Sequence, residues 1–216
     1  EWWFMLCCVY VFFVLVWRRP PSSTEGRSSA ASGVYKRRAF LRGRDHQQIG
    51  RLELEGIDEA AIALSRGGTR KTYSHTDLNE DCVAFAVGDG GQVVIAADGH
   101  HGELGSEAAV EAILDGFASD WTAATTPATS EADWRAIGIE ALLASNRAIL
   151  EAAGRNQLPP APTTFVVSLV RPADDLLLSL SVGDSHIFAV DTGLATDLGG
   201  HDPDQKFTPF LGYEEA

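Results

Sequence analysis

The chain has 216 residues, 45% of them hydrophobic, a formal net charge of -13 and three cysteines. Length and composition allow one domain of ordinary size with appendages and exclude a wholly disordered or collagen-like chain. The acidity argues against nucleic acid as a partner, and two adjacent cysteines in an apolar run exclude a disulfide framework.

The charge is unevenly spread: residues 18–44 carry a net +7 and residues 45–216 a net -19. Before them, Trp2 to Trp17 is an unbroken apolar run ending at Arg18-Arg19. As a helix it would span about 24 Å, short of the roughly 30 Å hydrocarbon core of a bilayer. Trp2, Trp3 and Trp17 at its ends match aromatic belts, and the basic cluster after it would hold the rest of the chain in the cytoplasm. Residues 1–17 read either as a membrane anchor, tethering a cytoplasmic protein to the inner face, or as upstream sequence of no functional interest. A signal peptide fits worse, because its basic residues precede the apolar run. Cys7-Cys8 read as acylation sites or as apolar filler. Residues 18–50 read as a flexible basic linker, with a Ser/Gly/Pro-rich stretch over 20–34. Lys36, Arg37, Arg38, Arg42 and Arg44 form either a solvated linker or a patch for anionic lipid.

Residues 51–216 read as the folded domain. Cys82 to Val87 and Gln92 to Ala97 predict two strands around the turn signal Gly88-Asp89-Gly90-Gly91. With Asp89-Gly90 at the turn, Val87 faces Gln92, Ala84 faces Ile95, and Asp81 faces Asp98. Opposed residues of a ribbon have Cβ atoms about 4.5–5.5 Å apart, and like charges there repel. Two carboxylates so placed need a cation, or one must take a proton. Hard divalent ions such as Mg²⁺ or Mn²⁺ prefer oxygen ligands of this kind. The plainer alternative is that Asp98-Gly99 merely turns the chain after a strand.

Two helices follow. One runs over Leu104 to Ser119, with Ala108, Ala109 and Ala112 allowing close packing on a sheet. The other runs over Trp134 to Ala153, behind a capping box at Ser130-Glu131-Ala132-Asp133, with Trp134, Ile137, Ala141, Ala148 and Ile149 as its apolar stripe. A second hairpin joins Thr163 to Arg171 with Leu176 to Gly183 through Pro172-Ala173-Asp174-Asp175. It sets Asp184 opposite Thr163, and a further strand covers His186 to Asp191. Strand pairs, then helices, then strand pairs predict an α+β fold with antiparallel sheets.

Asn79-Glu80-Asp81, Asp98-Gly99-His100-His101-Gly102 leading into Gly105-Ser106-Glu107-Ala108-Ala109, Thr163-Thr164, and Ser181-Val182-Gly183-Asp184-Ser185 occur in that order. In order and spacing they resemble the metal-dependent serine/threonine protein phosphatases of the type 2C family, over roughly residues 62–200. The resemblance implies a four-layer α-β-β-α sandwich with two antiparallel sheets, incomplete at the C-terminal end of this chain. It implies hydrolysis of phosphoserine and phosphothreonine in phosphorylated protein substrates, a signalling activity that uses two Mn²⁺ or Mg²⁺ ions and a weaker third. Asp98 would bridge two ions and the Gly99 carbonyl would bind one. Glu80 and Asp81 would hold waters of the metal shell, and Asp184 would shape the site or bind the third ion. His100 would be the general acid toward the leaving oxygen. Water activated by the metals is the nucleophile in such chemistry, so no nucleophilic side chain is required.

The sequence departs from the family pattern in three places. Thr76 stands where an arginine often holds the substrate phosphate, with Arg70 and Lys71 as distant candidates. Pro162 replaces the glycine before Thr-Thr. The aspartates of the family's last third are not in this chain, and Asp202 and Asp204 beside His201 lie in a different context. These departures keep an alternative in play, a catalytically inactive phosphatase-like module that binds or regulates. Two further readings are weaker. Zinc at His100-His101 lacks nearby Cys ligands. A serine esterase using Ser185 lacks a base, since His186 on a strand faces the other way.

Overall fold

The computed structural model describes residues 3–9, 11–12, 15–17, 37–57, 60–67, 79–126, 128, 130–191, 194–199 and 209–213. The strands are β1 (Trp3–Val9), β2 (Val11–Phe12), β3 (Leu15–Trp17), β4 (Arg37–Arg42), β5 (Leu52–Gly56), β6 (Ala61–Ser65), β7 (Cys82–Val87) and β8 (Gln92–Ala97). Helices α1 (Leu104–Gly116), α2 (Ala118–Thr122) and α3 (Glu131–Asn156) come next, then strands β9 (Phe165–Arg171), β10 (Leu176–Val182), β11 (His186–Asp191) and β12 (Leu194–Asp197). The fold is α+β with antiparallel sheets, as the order of hairpins and helices predicts.

A central sheet in the order β10-β9-β8-β7-β4 positions everything else. Its registers match the expected hairpins: Val87 pairs with Gln92 and Ala84 with Ile95, and Leu176 pairs with Arg171. Every residue of β7 and β8 is buried. The two-residue period explains how both faces of these strands are covered. Cys82, Ala84, Ala86, Val93, Ile95, Phe165 and Val167 pack against α1 and α3. Val83, Phe85, Val94, Ala96 and Val166 pack against Ile62 and Leu64 of β6 and Ile187 of β11. The second β layer holds the β5-β6 pair and the sheet β12-β11-β1-β2, with β3 also on β1. The described residues thus form three layers: helices, central sheet, second β layer. No helix among them covers the outer side of the second β layer, where a four-layer sandwich would carry one.

Helix α3 starts at the expected capping box: the Asp133 N–H donates to Ser130 Oγ at 3.2 Å and the Ser130 N–H donates to Asp133 Oδ2 at 2.9 Å. Its inner face carries Trp134, Ala141 and Ile149 of the expected stripe, with Gly138 and Ser145 between them. Gly138 lies under Leu180, where a Cβ would come within 2.8 Å of the Leu180 side chain.

The described residues of the N-terminal region form strands. The apolar run is not one helix: Trp3–Val9 pairs antiparallel with β11, from Phe4↔Val190 to Cys8↔His186. No helix among the described residues is long and apolar enough to cross a membrane. The basic stretch is not all linker either. Arg37–Arg42 pairs with β7 along its length, so the folded unit starts before residue 50. Its arginines alternate with Phe40, which packs on the helix-side core, and with Leu41, which is buried on the other. Arg38 pairs with Asp115, and Arg42 with Glu111 and Glu107 of α1. Acidic residues of the neighbouring helix face these cations. The Ser/Gly/Pro-rich stretch over 20–34 lies outside the described residues.

Candidate functional site

In the antiparallel order β10-β9-β8-β7, the starts of β7 and β9 and the ends of β8 and β10 fall at one end of the sheet. All four motifs therefore meet there. One step past the last pair of the first hairpin, Cys82↔Ala97, come Asp81 and Asp98. The two-residue period puts both on the face of Val83 and Ala96, toward the second β layer. Asp81 is buried at 8% exposure and Glu80 at 3%, while Asp98 is half-buried.

Backbone packing fixes this end tightly. A Cβ on Gly99 would lie 2.3 Å from the Glu80 carbonyl, so only glycine lets the two chains pass. Gly99 bridges Thr163, and Thr163 in turn bridges Leu211. The Thr164 N–H donates to the Asp98 carbonyl at 3.0 Å. The Asp98 N–H donates to Thr164 Oγ1 at 3.3 Å, and Thr163 Oγ1 donates to the Asp98 carbonyl at 2.8 Å. The His100 N–H donates to the Pro162 carbonyl at 2.8 Å. Proline lacks an N–H, but this position needs only its carbonyl. Ser106 Oγ donates to the Glu80 carbonyl at 2.5 Å and so ties the first turn of α1 to the same end.

His100 is half-buried, with Nδ1 3.3 Å from the Asp98 carbonyl. A carbonyl oxygen only accepts, so this contact assigns the proton to Nδ1 and leaves Nε2 for exchange. His101 is exposed and takes a left-handed φ of 67°. Asp184 is exposed, one residue beyond Gly183, whose φ of 103° breaks the strand against Thr164. Asp81 and Asp98 thus follow the last pair of the first hairpin, Glu80 passes against Gly99, and Asp184 lies exposed after Gly183.

The nearby side-chain nucleophiles are structural. Burial pushes the Cys82 thiol up to about 12, so it stays protonated. Ser185 is fully buried and its Oγ lies 2.6 Å from Thr164 Oγ1. His186 Nδ1 instead pairs with Asp197 Oδ2 at 2.8 Å. That arrangement corrects the serine-esterase alternative. Behind the site, Glu107 meets Arg44 at 2.9 Å and Arg42 at 3.9 Å. Burial nevertheless pushes its carboxyl up to about 7, against the pull of both guanidinium groups.

The donor set at this end consists of carboxylates and a free-standing backbone carbonyl, which suits a hard divalent ion in kind. Mg²⁺ keeps several waters and takes as few as one or two protein carboxylates, which Asp81 and Asp98 can supply. In number the set is open: among the described residues no three His, Cys, Asp or Glu side chains converge to hold a metal. Among the described residues no third His, Cys, Asp or Glu joins His100 and His101 as a zinc site would need. Thr76, Arg70, Lys71, Asp202, Asp204 and His201 lie outside the described residues.

Sequence reasoning did not single out Thr163, Thr164 and Ser106 as the residues that hold the site, nor Phe210, whose ring packs 4.9 Å from that of His100. Thr163-Thr164 was visible as the start of a strand and as one of the four motifs, but not as the support that holds Asp98. Their hydroxyl partners lie some 65 positions away, which no local pattern encodes.

No curated protein matches the chain. Among solved structures, a Stage II Sporulation E family protein from Thermanaerovibrio acidaminovorans is similar at 18% identity and a TM-score of 0.44. The similarity covers 62% of this chain and 66% of that one, so this chain spans just under two thirds of that protein's length. The family model described as Protein phosphatase 2C matches residues 69–207, which include all four motifs and the sheet end that gathers them. The chain belongs to the protein phosphatase 2C family.

Proposed function

We propose that the chain hydrolyses phosphoserine and phosphothreonine in proteins, with Mn²⁺ or Mg²⁺ as cofactor. The observation that carries this reading is the placement of Asp81 and Asp98 one step past the Cys82↔Ala97 pair that ends the β7–β8 ribbon. In it, Asp98 and the Gly99 carbonyl would hold the two principal ions, Glu80 and Asp81 would hold waters of their shell, and Asp184 would shape the site or hold a weaker third. When bound, the ions would acidify water and neutralise phosphate charge. The chain's own part is to fix Asp98 through Thr163 and Thr164 and to hold the His100 ring by its Nδ1–H on the Asp98 carbonyl, so that its doubly protonated form can give the Nε2 proton to the leaving serine or threonine oxygen. An alkoxide is a poor leaving group, so protonation there is worth roughly 100-fold or more. The protonated Cys82 and the buried Ser185 leave water as the nucleophile at this end.

The test is hydrolysis of a phosphothreonine peptide with and without Mn²⁺. Asp98→Asn should lower the metal-dependent rate by at least about 100-fold, a loss of several kcal/mol of charge stabilisation. Full activity in that variant, or in the wild type with EDTA, would reject the assignment.

A second reading is a phosphatase-like module that binds without turnover. It is favoured by the lack of three converging metal-ligating side chains among the described residues. It expects phosphopeptide binding with no metal-stimulated hydrolysis.

A further inference from the structure

The segment 209–213 crosses the same sheet end and bears directly on His100. The Leu211 N–H donates to the Thr163 carbonyl at 3.0 Å, and the Thr163 N–H donates back to the Leu211 carbonyl at 3.1 Å. The Gly212 N–H donates to Asn146 Oδ1 at 2.6 Å, and Asn146 Nδ2 donates to the Tyr213 carbonyl at 3.1 Å. Leu211 is buried in the helix-side core. The segment is thus pinned to β9 on one side and to α3 on the other. This leaves Phe210 with little freedom of its own. Its ring meets the His100 imidazole with centroids 4.9 Å apart and planes at 58°. That separation and tilt are favourable for an aromatic pair.

We infer that Phe210 is a positioning residue for His100: its ring and the Asp98 carbonyl together fix the imidazole, so that Nε2 presents its proton in one orientation. The two contacts are complementary. The hydrogen bond from Nδ1 is long at 3.3 Å and holds one edge of the ring, but alone it leaves the ring free to tilt about that axis. Phe210 packs against the ring and removes that freedom. The phenyl ring carries no polar group, so it can neither take nor supply the proton, and its whole effect must pass through His100. The inference rests on the general-acid reading of His100 given above.

Its test separates the two. The rates to compare are those on a phosphothreonine peptide, whose leaving oxygen needs a proton, and on para-nitrophenyl phosphate, whose leaving group needs little. Phe210→Ala should lower kcat on the peptide by about 10- to 100-fold, the penalty of a misplaced catalytic group, with KM within about twofold. The rate on para-nitrophenyl phosphate should stay within about twofold, which also reports that the variant is folded. Phe210→Tyr keeps the ring and should restore most of the peptide rate. In a His100→Ala background, Phe210→Ala should add no further loss, since the two act as a unit. If His100→Ala slows the peptide selectively and Phe210→Ala does not, the inference about Phe210 fails and the general acid stands. If His100→Ala slows both substrates equally, the general-acid reading falls and this inference falls with it. Equal losses on both substrates in Phe210→Ala, unrescued by tyrosine, would show a purely structural role and overturn the inference.

Discussion

Thr164 joins the two halves of the candidate site through one hydroxyl. Its Oγ1 receives the Asp98 N–H and lies 2.6 Å from Ser185 Oγ, so the end of β8 and the turn after β10 share a single side chain. Thr164→Val keeps the shape and removes that group from a fully buried position. The expected cost is about 1–3 kcal/mol, the range for breaking a buried polar contact. A lower urea midpoint at an unchanged slope would show it. A midpoint equal to wild type would mean the hydroxyl does not couple the hairpins. Ser185→Ala separates structure from chemistry at the same place. It should cost stability on a similar scale while leaving the ratio of peptide to aryl-phosphate rates unchanged, because a fully buried hydroxyl that meets Thr164 is no nucleophile. The register that sets Asp81 and Asp98 one step past Cys82 and Ala97 was legible, since the turn fixes the pairing of the ribbon. The hydroxyls that hold them were not, since their partners are set by the tertiary fold.

Strand β4 shows why an element can be hidden in a sequence. Its side chains read Arg-Arg-Ala-Phe-Leu-Arg, which carries the charge of a solvated linker and only a short apolar signal. What makes it a strand is the chemistry of what it meets: the open edge of β7 on one side and the acidic face of α1 above. The first central hairpin was legible to the residue, by contrast, and the second in register though not in its ends, with β9 starting at Phe165 and β10 ending at Val182, because apolar runs and turn residues are local signals. The ion pairs along β4 are not equal. Arg38 and Asp115 are 51% and 69% exposed, and a pair so well solvated contributes little. Arg38→Ala should therefore change stability by less than about 0.5 kcal/mol. Arg42 differs. Its guanidinium sits 4.0 Å over the Phe40 ring and meets both Glu111 and the buried Glu107. Arg42→Ala removes a cation–π contact, side-chain packing and a partner of a buried carboxylate together. It should cost at least about 1 kcal/mol. Thermal or urea denaturation of the two variants side by side checks the ranking, and equal effects would contradict it.

At the scale of the whole molecule, a net charge of -13 makes the pH response of stability a sum of many acids, yet one of them should stand out. Glu107 lies where α1 meets β4, faced by Arg44 and Arg42 and by Glu103 and Glu111 of its own helix segment, with the protonated Cys82 beneath it. Burial raises its carboxyl from 4.5 to about 7 in the folded state. The sign follows from proton counting. Between those values the folded chain holds a proton that the unfolded chain has released, so this group's contribution is complete below about pH 4.5 and is lost as pH rises through about 7. The loss is at most about 3 kcal/mol, since one unit corresponds to about 1.36 kcal/mol. Most buried or paired carboxylates have lowered values and push stability the other way, up with pH. Glu107→Gln keeps the shape, cannot ionise, and should remove the decline. Urea unfolding at intervals from about pH 5 to pH 8 would show the variant gaining on wild type as pH rises, with the difference levelling off above neutrality. If wild type and variant instead stay parallel across that range, Glu107 is held ionised by Arg42 and Arg44. Burial would then be the weaker of the two influences on it, and the β4–α1 seam would be a true ion-pair cluster around an anionic carboxylate.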